Sequence, residues 1–144
     1  MFLGEYEHAL DDKGRLVMPR KYRDLLDGGC VITKGQDNCL VVFTMERWTE
    51  EAARVSALPR TDRKARSFRR SFFANATDQT LDKQGRMQLP EKLREYAGLG
   101  KDVTIVGNAD YIELWSSTAW DDALAEADDF YADIDDALNV GDGI

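Results

Sequence analysis

The segment Leu10-Asp11-Asp12-Lys13-Gly14-Arg15-Leu16-Val17-Met18-Pro19 returns later as Leu81-Asp82-Lys83-Gln84-Gly85-Arg86-Met87-Gln88-Leu89-Pro90, with Leu, Asp, Gly, Arg and Pro in register. An internal repeat limits the fold severely, because one supersecondary unit must then serve twice. The register continues through Lys21 and Lys92 and through Arg23 and Arg94. After one inserted residue it resumes, pairing Gly35 with Gly107, Leu40 with Ile112, Phe43 with Trp115 and Trp48 with Trp120.

Each copy reads β-β-α-β-β. Alternating segments at Arg15–Met18 and Arg86–Leu89 predict strands entered through a D-x-x-G turn, with Gly14 and Gly85 supplying a positive φ. Pro19 and Pro90 stand where a helix can begin, and short amphipathic helices are expected over Arg20–Leu26 and Glu91–Ala97. Val31–Thr33 with Leu40–Phe43, and Val103–Val106 with Tyr111–Trp115, predict two further hairpins. Between the copies, a helix from Trp48 to Leu58 should break at Pro59, and Asp62 should cap a second one running through Phe73. The expected organisation is α+β: repeat 1 at 5–48, a helical connector at 49–76, repeat 2 at 77–120 and an acidic helix or tail at 121–144. A unit of about 45 residues is near the lower limit for a stable core, so the two repeats should pack together about a pseudo-two-fold axis. Exposed strand edges would support further assembly.

The formal charge of −8 argues at first against a nucleic-acid partner. Its distribution reverses that inference. Nine acids (Asp121, Asp122, Glu126, Asp128, Asp129, Asp133, Asp135, Asp136, Asp142) lie in residues 119–144, which hold no Lys or Arg, and the rest of the chain is one charge positive. Ala123, Leu124, Ala127, Phe130, Tyr131, Ile134 and Leu138 form a stripe at helical spacing that should pack on something. The opening Met1–Glu5 lacks a signal-peptide pattern and no apolar run is long enough for a membrane span, so a cytosolic protein is expected. Cys30 and Cys39 are then read as reduced core thiols, and the aromatics of the repeat, Trp48, Trp115 and Trp120 with Phe43 and Tyr111, as core. His8 is the only histidine, and neither a C-x-x-C pair nor a nucleotide-binding fingerprint occurs, so neither catalysis nor a cofactor, metal or small-molecule substrate is expected.

The residues that could carry a function are Arg15 and Arg86, each placed after a glycine turn at the mouth of a strand. A guanidinium fork suits phosphate oxygens or guanine O6 and N7. Lys13, Lys83, Arg20, Lys21 and Lys92 add cations nearby. The competing reading has each arginine paired with Asp11 or Asp82 four residues earlier, fixing the turn; the two roles are compatible if only some donors are used internally. Asp11 and Asp82 are expected to be turn residues rather than catalytic acids, because exposed carboxylates would repel phosphate. The basic run Arg60, Arg63, Lys64, Arg66, Arg69 and Arg70 is read chiefly as a partner for acids of the tail or of neighbouring subunits.

With Met1-Phe2-Leu3-Gly4, Asp11–Leu16 with Pro19, Asp82–Arg86, and Glu113-Leu114-Trp115 with Trp120, the chain over about residues 1–120 resembles the MraZ family. That resemblance implies two AbrB-like swapped-hairpin repeats forming a pseudo-two-fold β-barrel. It also implies a nucleoid-associated transcription regulator that binds repeated double-stranded sites in the promoter of its own cell-division and cell-wall gene cluster, commonly as a repressor. Assembly into rings of about eight to twelve chains is implied too. Carried over by motif, Arg15 and Arg86 would contact DNA with nearby Lys and Arg assisting. Gln84 in place of Lys13 and Glu91 in place of Arg20 imply weaker binding by the second repeat. An oligomeric protein-interaction scaffold with a recruiting acidic tail is the alternative.

Overall fold

A computed structural model describes residues 1–134. Thirteen elements follow one another: β1 (Glu5–Ala9), β2 (Arg15–Val17), α1 (Arg20–Arg23), β3 (Cys30–Lys34), β4 (Leu40–Thr44), α2 (Met45–Ser56), α3 (Arg63–Ala74), β5 (Thr77–Gln79), β6 (Arg86–Gln88), α4 (Glu91–Tyr96), β7 (Asp102–Asn108), β8 (Tyr111–Ser116) and α5 (Ser117–Tyr131). The architecture is α+β, with every strand pair antiparallel.

Strand pairing crosses between the repeats. A six-stranded sheet runs β1-β7-β8-β4-β3-β5, and β2 pairs with β6 as a separate ribbon. Only β3–β4 and β7–β8 pair within a repeat; β1 pairs with β7, β5 with β3, and β4 with β8 across them. Each short unit thus completes its sheet with strands of the other, which is how two pieces too small for separate cores share one.

Alternation along the strands separates two faces. Cys30, Ile32, Leu40, Val42, Val103, Ile105, Ile112 and Leu114 point inward, where they meet Leu16 and Met87 of the ribbon and Tyr22 and Leu93 of α1 and α4. On the outer face, Val41 and Phe43 pack with Val55 of α2 and Phe72 of α3, and Thr33 donates its hydroxyl to the Phe72 carbonyl at 2.8 Å. Val106 and Trp115 meet Ala119, Trp120 and Ala123 of α5 on the same face. Helices α2, α3 and α5 therefore lie on one side of the sheet, and the β2–β6 ribbon with α1 and α4 on the other.

Several boundaries differ from expectation for local reasons. Both α2 and α5 start earlier than their apolar patterns suggested, because Thr44 accepts from the Arg47 amide at 3.1 Å and Ser116 from the Ala119 amide at 3.1 Å. Asp62 caps α3 through the Ala65 amide at 2.8 Å. Pro19 and Pro90 are the residues before the helices, not the first within them, and accept from the Tyr22 and Leu93 amides through their carbonyls. Helix α1 ends at Arg23, well before Leu26, and the chain leaves it through turns that finish at Gly29, φ +100. Of the expected apolar stripe only Ala123 packs, beside Ala119 and Trp120, whereas Leu124, Ala127, Phe130 and Tyr131 of α5 are exposed, as is Ile134 just beyond it. Leu138, Asp135, Asp136 and Asp142 lie outside the described residues.

Cys30 and Cys39 are free and buried, one facing the inner core and the other the α5 cluster. Burial pushes their thiols up to about 11 and about 12, respectively. His8 sits in β1 opposite Val103. No helix among the described residues is long and apolar enough to cross a membrane.

Candidate nucleic-acid interface

The two D-x-x-G-R turns are built alike, bond for bond. Asp11 Oδ1 accepts from the amides of Lys13 (2.9 Å) and Arg15 (2.8 Å), while Oδ2 accepts from Arg15 Nε at 2.8 Å. Asp82 Oδ1 accepts from the amides of Gln84 (3.0 Å) and Arg86 (2.9 Å), and Oδ2 from Arg86 Nε at 2.7 Å. The backbone closes each turn from Gly14 to Asp11 and from Gly85 to Asp82, with the glycines at φ +74 and +75, a left-handed conformation that side chains disfavour. Hydrogen bonds from the amides of Arg15 and Arg86 come first among the causes that hold the Asp11 and Asp82 carboxyls below their ordinary value. The aspartates are thus ionised anchors of the turn.

Anchoring takes Nε and leaves the outer edge of the fork. Arg15 makes no other side-chain hydrogen bond among the described residues, and its side chain is 29% exposed. Arg86, 25% exposed, also donates Nη2 to Gln84 Oε1 at 2.9 Å. The turn role therefore does not use up the donors of either side chain.

Ribbon register decides where the two forks point. Arg15 pairs with Gln88, Leu16 with Met87, and Val17 with Arg86. Leu16 and Met87 are fully buried, so the flanking positions, Arg15, Val17, Arg86 and Gln88, share the opposite, outward face. Arg15 and Arg86 stand on a diagonal of that face, where neighbouring residues are roughly 7–8 Å apart. A two-stranded ribbon carrying two arginines in this way has the dimensions of an element that enters the major groove.

The cross-repeat fit extends to the turns themselves. Met18 N donates to Gly85 O at 2.9 Å and Leu89 N to Gly14 O at 2.8 Å. Arg23 Nε donates to Met18 O at 3.0 Å and lies over Gly85, while Arg94 Nε donates to Leu89 O at 3.0 Å and lies over Gly14. A Cβ at residue 85 would come within 2.2 Å of Arg23 Nε, and one at residue 14 within 3.1 Å of the Arg94 guanidinium. Each turn is thus roofed by an arginine from the other repeat. Arg23 and Arg94 were visible in the sequence only as recurring letters; nothing local marked them as neighbours of the opposite turn.

The remaining candidates separate. Lys13 and Lys83 are exposed within the turns, and Arg20 is exposed at the start of α1. Lys21 is exposed too, with its ammonium 5.1 Å over the Tyr6 ring, towards β1. Helix α3, which carries all of the basic run but Arg60, packs through Phe72 on the outer face of the sheet, on the other side from the ribbon, and leaves Arg63, Lys64, Arg66 and Arg70 exposed. Among the described residues no group of three or more His, Cys, Asp or Glu is placed to hold a metal ion.

The family described as "MraZ protein, putative antitoxin-like" matches this chain twice, over residues 1–71 and 72–140. The chain belongs to the MraZ family. One match falls on each half of the repeat. Among similar proteins, the "Transcriptional regulator MraZ" of Salinispora tropica is 47% identical over 141 residues, covering 98% of this chain and 99% of its own. The protein of the same name from Moorella thermoacetica is 48% identical over 131 residues (91% and 92% covered), and that from Halothermothrix orenii is 46% identical over 138 residues (96% and 96%).

Proposed function

We propose that this MraZ family member is a sequence-specific DNA-binding transcription regulator. The observation that carries the reading is the pair of arginine forks, each anchored by Nε and presented on one face of a single ribbon. In this reading Arg15 and Arg86 contact base edges or phosphates, and Lys13, Lys83, Arg20 and Lys21 add phosphate contacts around them. In this reading the two repeats make a swapped-hairpin barrel, with functional units at 5–48 and 77–120, a connector at 49–76 and an acidic segment from 121 onward, and the strand exchange between repeats supports it. The protein acts in the cytoplasm, at the nucleoid, on repeated sites in the promoter of its own cell-division and cell-wall gene cluster, as a repressor. It works as a ring of about eight to twelve chains, since a few contacts per subunit become tight binding only when several subunits engage neighbouring sites. The relatives' shared name, transcriptional regulator, supports this reading.

The test is binding of the purified protein to a duplex from upstream of its own gene and to a scrambled duplex, followed by fluorescence anisotropy across a salt series. The reading predicts a preference for the native duplex and an affinity that falls as salt rises. Absence of binding to either duplex at low salt would instead favour an interaction scaffold, for which the exposed apolar residues of α5 are the supporting feature.

A further inference from the structure

Helix α5 is the second-repeat counterpart of α2. Ser116 caps it as Thr44 caps α2, and Trp120 stands at the place of Trp48. The counterparts meet different fates on their outer sides. In the first repeat, Val55 of α2 and Leu58 just beyond it are packed in a cluster with Phe72 and Phe73 of α3. The matching places on α5 are Ala127 and Phe130, and both are exposed, Phe130 by 60%. Tyr131 beside it is 80% exposed. A groove of about 650 Å³, lined by Asp37, Trp115, Ala123, Glu126 and Phe130 among others, runs between α5 and the β3–β4 turn.

Charge selects the occupant. Six acids and no base occur between Asp121 and Asp133, whereas six bases and one acid, Asp62, occur between Arg60 and Arg70. None of the ion pairs among the described residues uses either set. The basic segment also borders an apolar groove of about 380 Å³ at the α2–α3 corner, formed by Leu58, Pro59, Ala65 and Phe73 with Arg66 and Arg70 at its rim. Within one chain the two surfaces stay apart, because α5 packs on β7 and β8 while α3 packs on β3, with β4 between them in the sheet. An acidic helix with bare aromatic side chains and a basic corner with an apolar groove are therefore complementary and cannot meet within the same chain.

We propose that α5 of one copy docks on the α2–α3 corner of a second copy, Phe130 and Tyr131 entering the groove beside Phe73 and the α5 acids facing the α3 arginines. The contact joins two different surfaces, so it is head-to-tail and propagates until rotation closes a ring. It rests on the assembly part of the preceding reading and names the surfaces that make it, independently of the arginine ribbon. Because part of the contact is between exposed charges, it weakens as salt screens them.

The experiment uses the full chain in size-exclusion chromatography with light scattering. Two variants are prepared, Arg66→Glu with Arg70→Glu on the corner, and Phe130→Asp with Tyr131→Asp on the tail, each checked for native far-ultraviolet circular dichroism. Wild-type protein is expected to run as an oligomer and each variant as a single chain. Mixed in equal amounts, the variants should give a one-to-one dimer and nothing larger, since one keeps an intact tail and the other an intact corner. If either folded variant keeps the wild-type mass, or the mixture stays monomeric, the docking is wrong while the ring reading stands. A monomeric wild type would overturn the ring and the docking together, leaving DNA binding untouched. Should the tail variant fail to fold, Asp128→Lys with Asp129→Lys on the exposed face probes the same contact, with the same outcomes.

Discussion

The turn at Asp11–Arg15 and the turn at Asp82–Arg86 share every anchoring hydrogen bond, yet their surroundings differ. In the first, the residue before glycine is Lys13, which cannot accept from a guanidinium, so the outer edge of Arg15 stays open. In the second, Gln84 accepts from Arg86 Nη2. The cleft beside the second turn is lined by Asp24 and Asp27, just after α1, whereas Gly98 stands in the place of Asp27 in the other repeat. Other charges run the opposite way: Asp12 takes one from the first turn where Lys83 adds one to the second, and Arg20 follows the Met18 bond to Gly85 while Glu91 follows the Leu89 bond to Gly14. Duplication has kept the scaffold and let the charge diverge. The two turns should therefore matter alike for folding and unequally for DNA.

The largest effect expected is on binding. Arg15→Ala should lower affinity for the upstream duplex by about 1–3 kcal/mol per engaged site, and Arg86→Ala by clearly less, both read by anisotropy titration. Equal losses would erase the proposed asymmetry. Next comes stability, where the roofing arginines separate the turns. Alanine at either glycine incurs the left-handed penalty of roughly 1–2 kcal/mol, but Gly85→Ala must also displace Arg23 and should lower the midpoint of urea unfolding more than Gly14→Ala. The reverse order would mean that Arg23 yields without cost.

A gain of function sharpens the comparison further. Gln84→Lys releases the outer edge of Arg86 and adds a cation, so affinity should rise several-fold and the salt dependence should steepen by about one phosphate contact. An unchanged salt slope would show that the second turn stays off the duplex. The smallest effect concerns pH. The folded-state values of Asp11 and Asp82 are lowered, so the stability they contribute is present above the unfolded value near 3.9 and is lost as pH falls through the folded one. Asp11→Asn and Asp82→Asn should each flatten the fall in Tm over about pH 5 to 3, to the same degree.

Much of this was legible in the chain because the information was local. The D-x-x-G-R turns are set by an Asp that bonds amides two and four residues ahead and a Gly that tolerates positive φ, so letters alone identify them. The hairpins β3–β4 and β7–β8 announce themselves by apolar runs around short turns. What stayed hidden was long-range. Nothing in Glu5–Ala9 says that it pairs with β7 rather than with its own repeat, and nothing in Arg23 says that it covers Gly85. Helix starts were misjudged because Thr44 and Ser116 act as caps at the end of strands, where the apolar pattern gives no warning. The stripe of α5 was read as wholly packed because helical spacing reports which face is apolar and not what covers it.

The most direct measurement is the structure of the full chain bound to a duplex from its own upstream region. The account predicts that the β2–β6 ribbon lies in the groove, with Arg15 within hydrogen-bond distance of DNA and the α2–α3 corner facing away from it. A duplex seated on α3, with Arg15 and Arg86 away from it, would contradict the central claim.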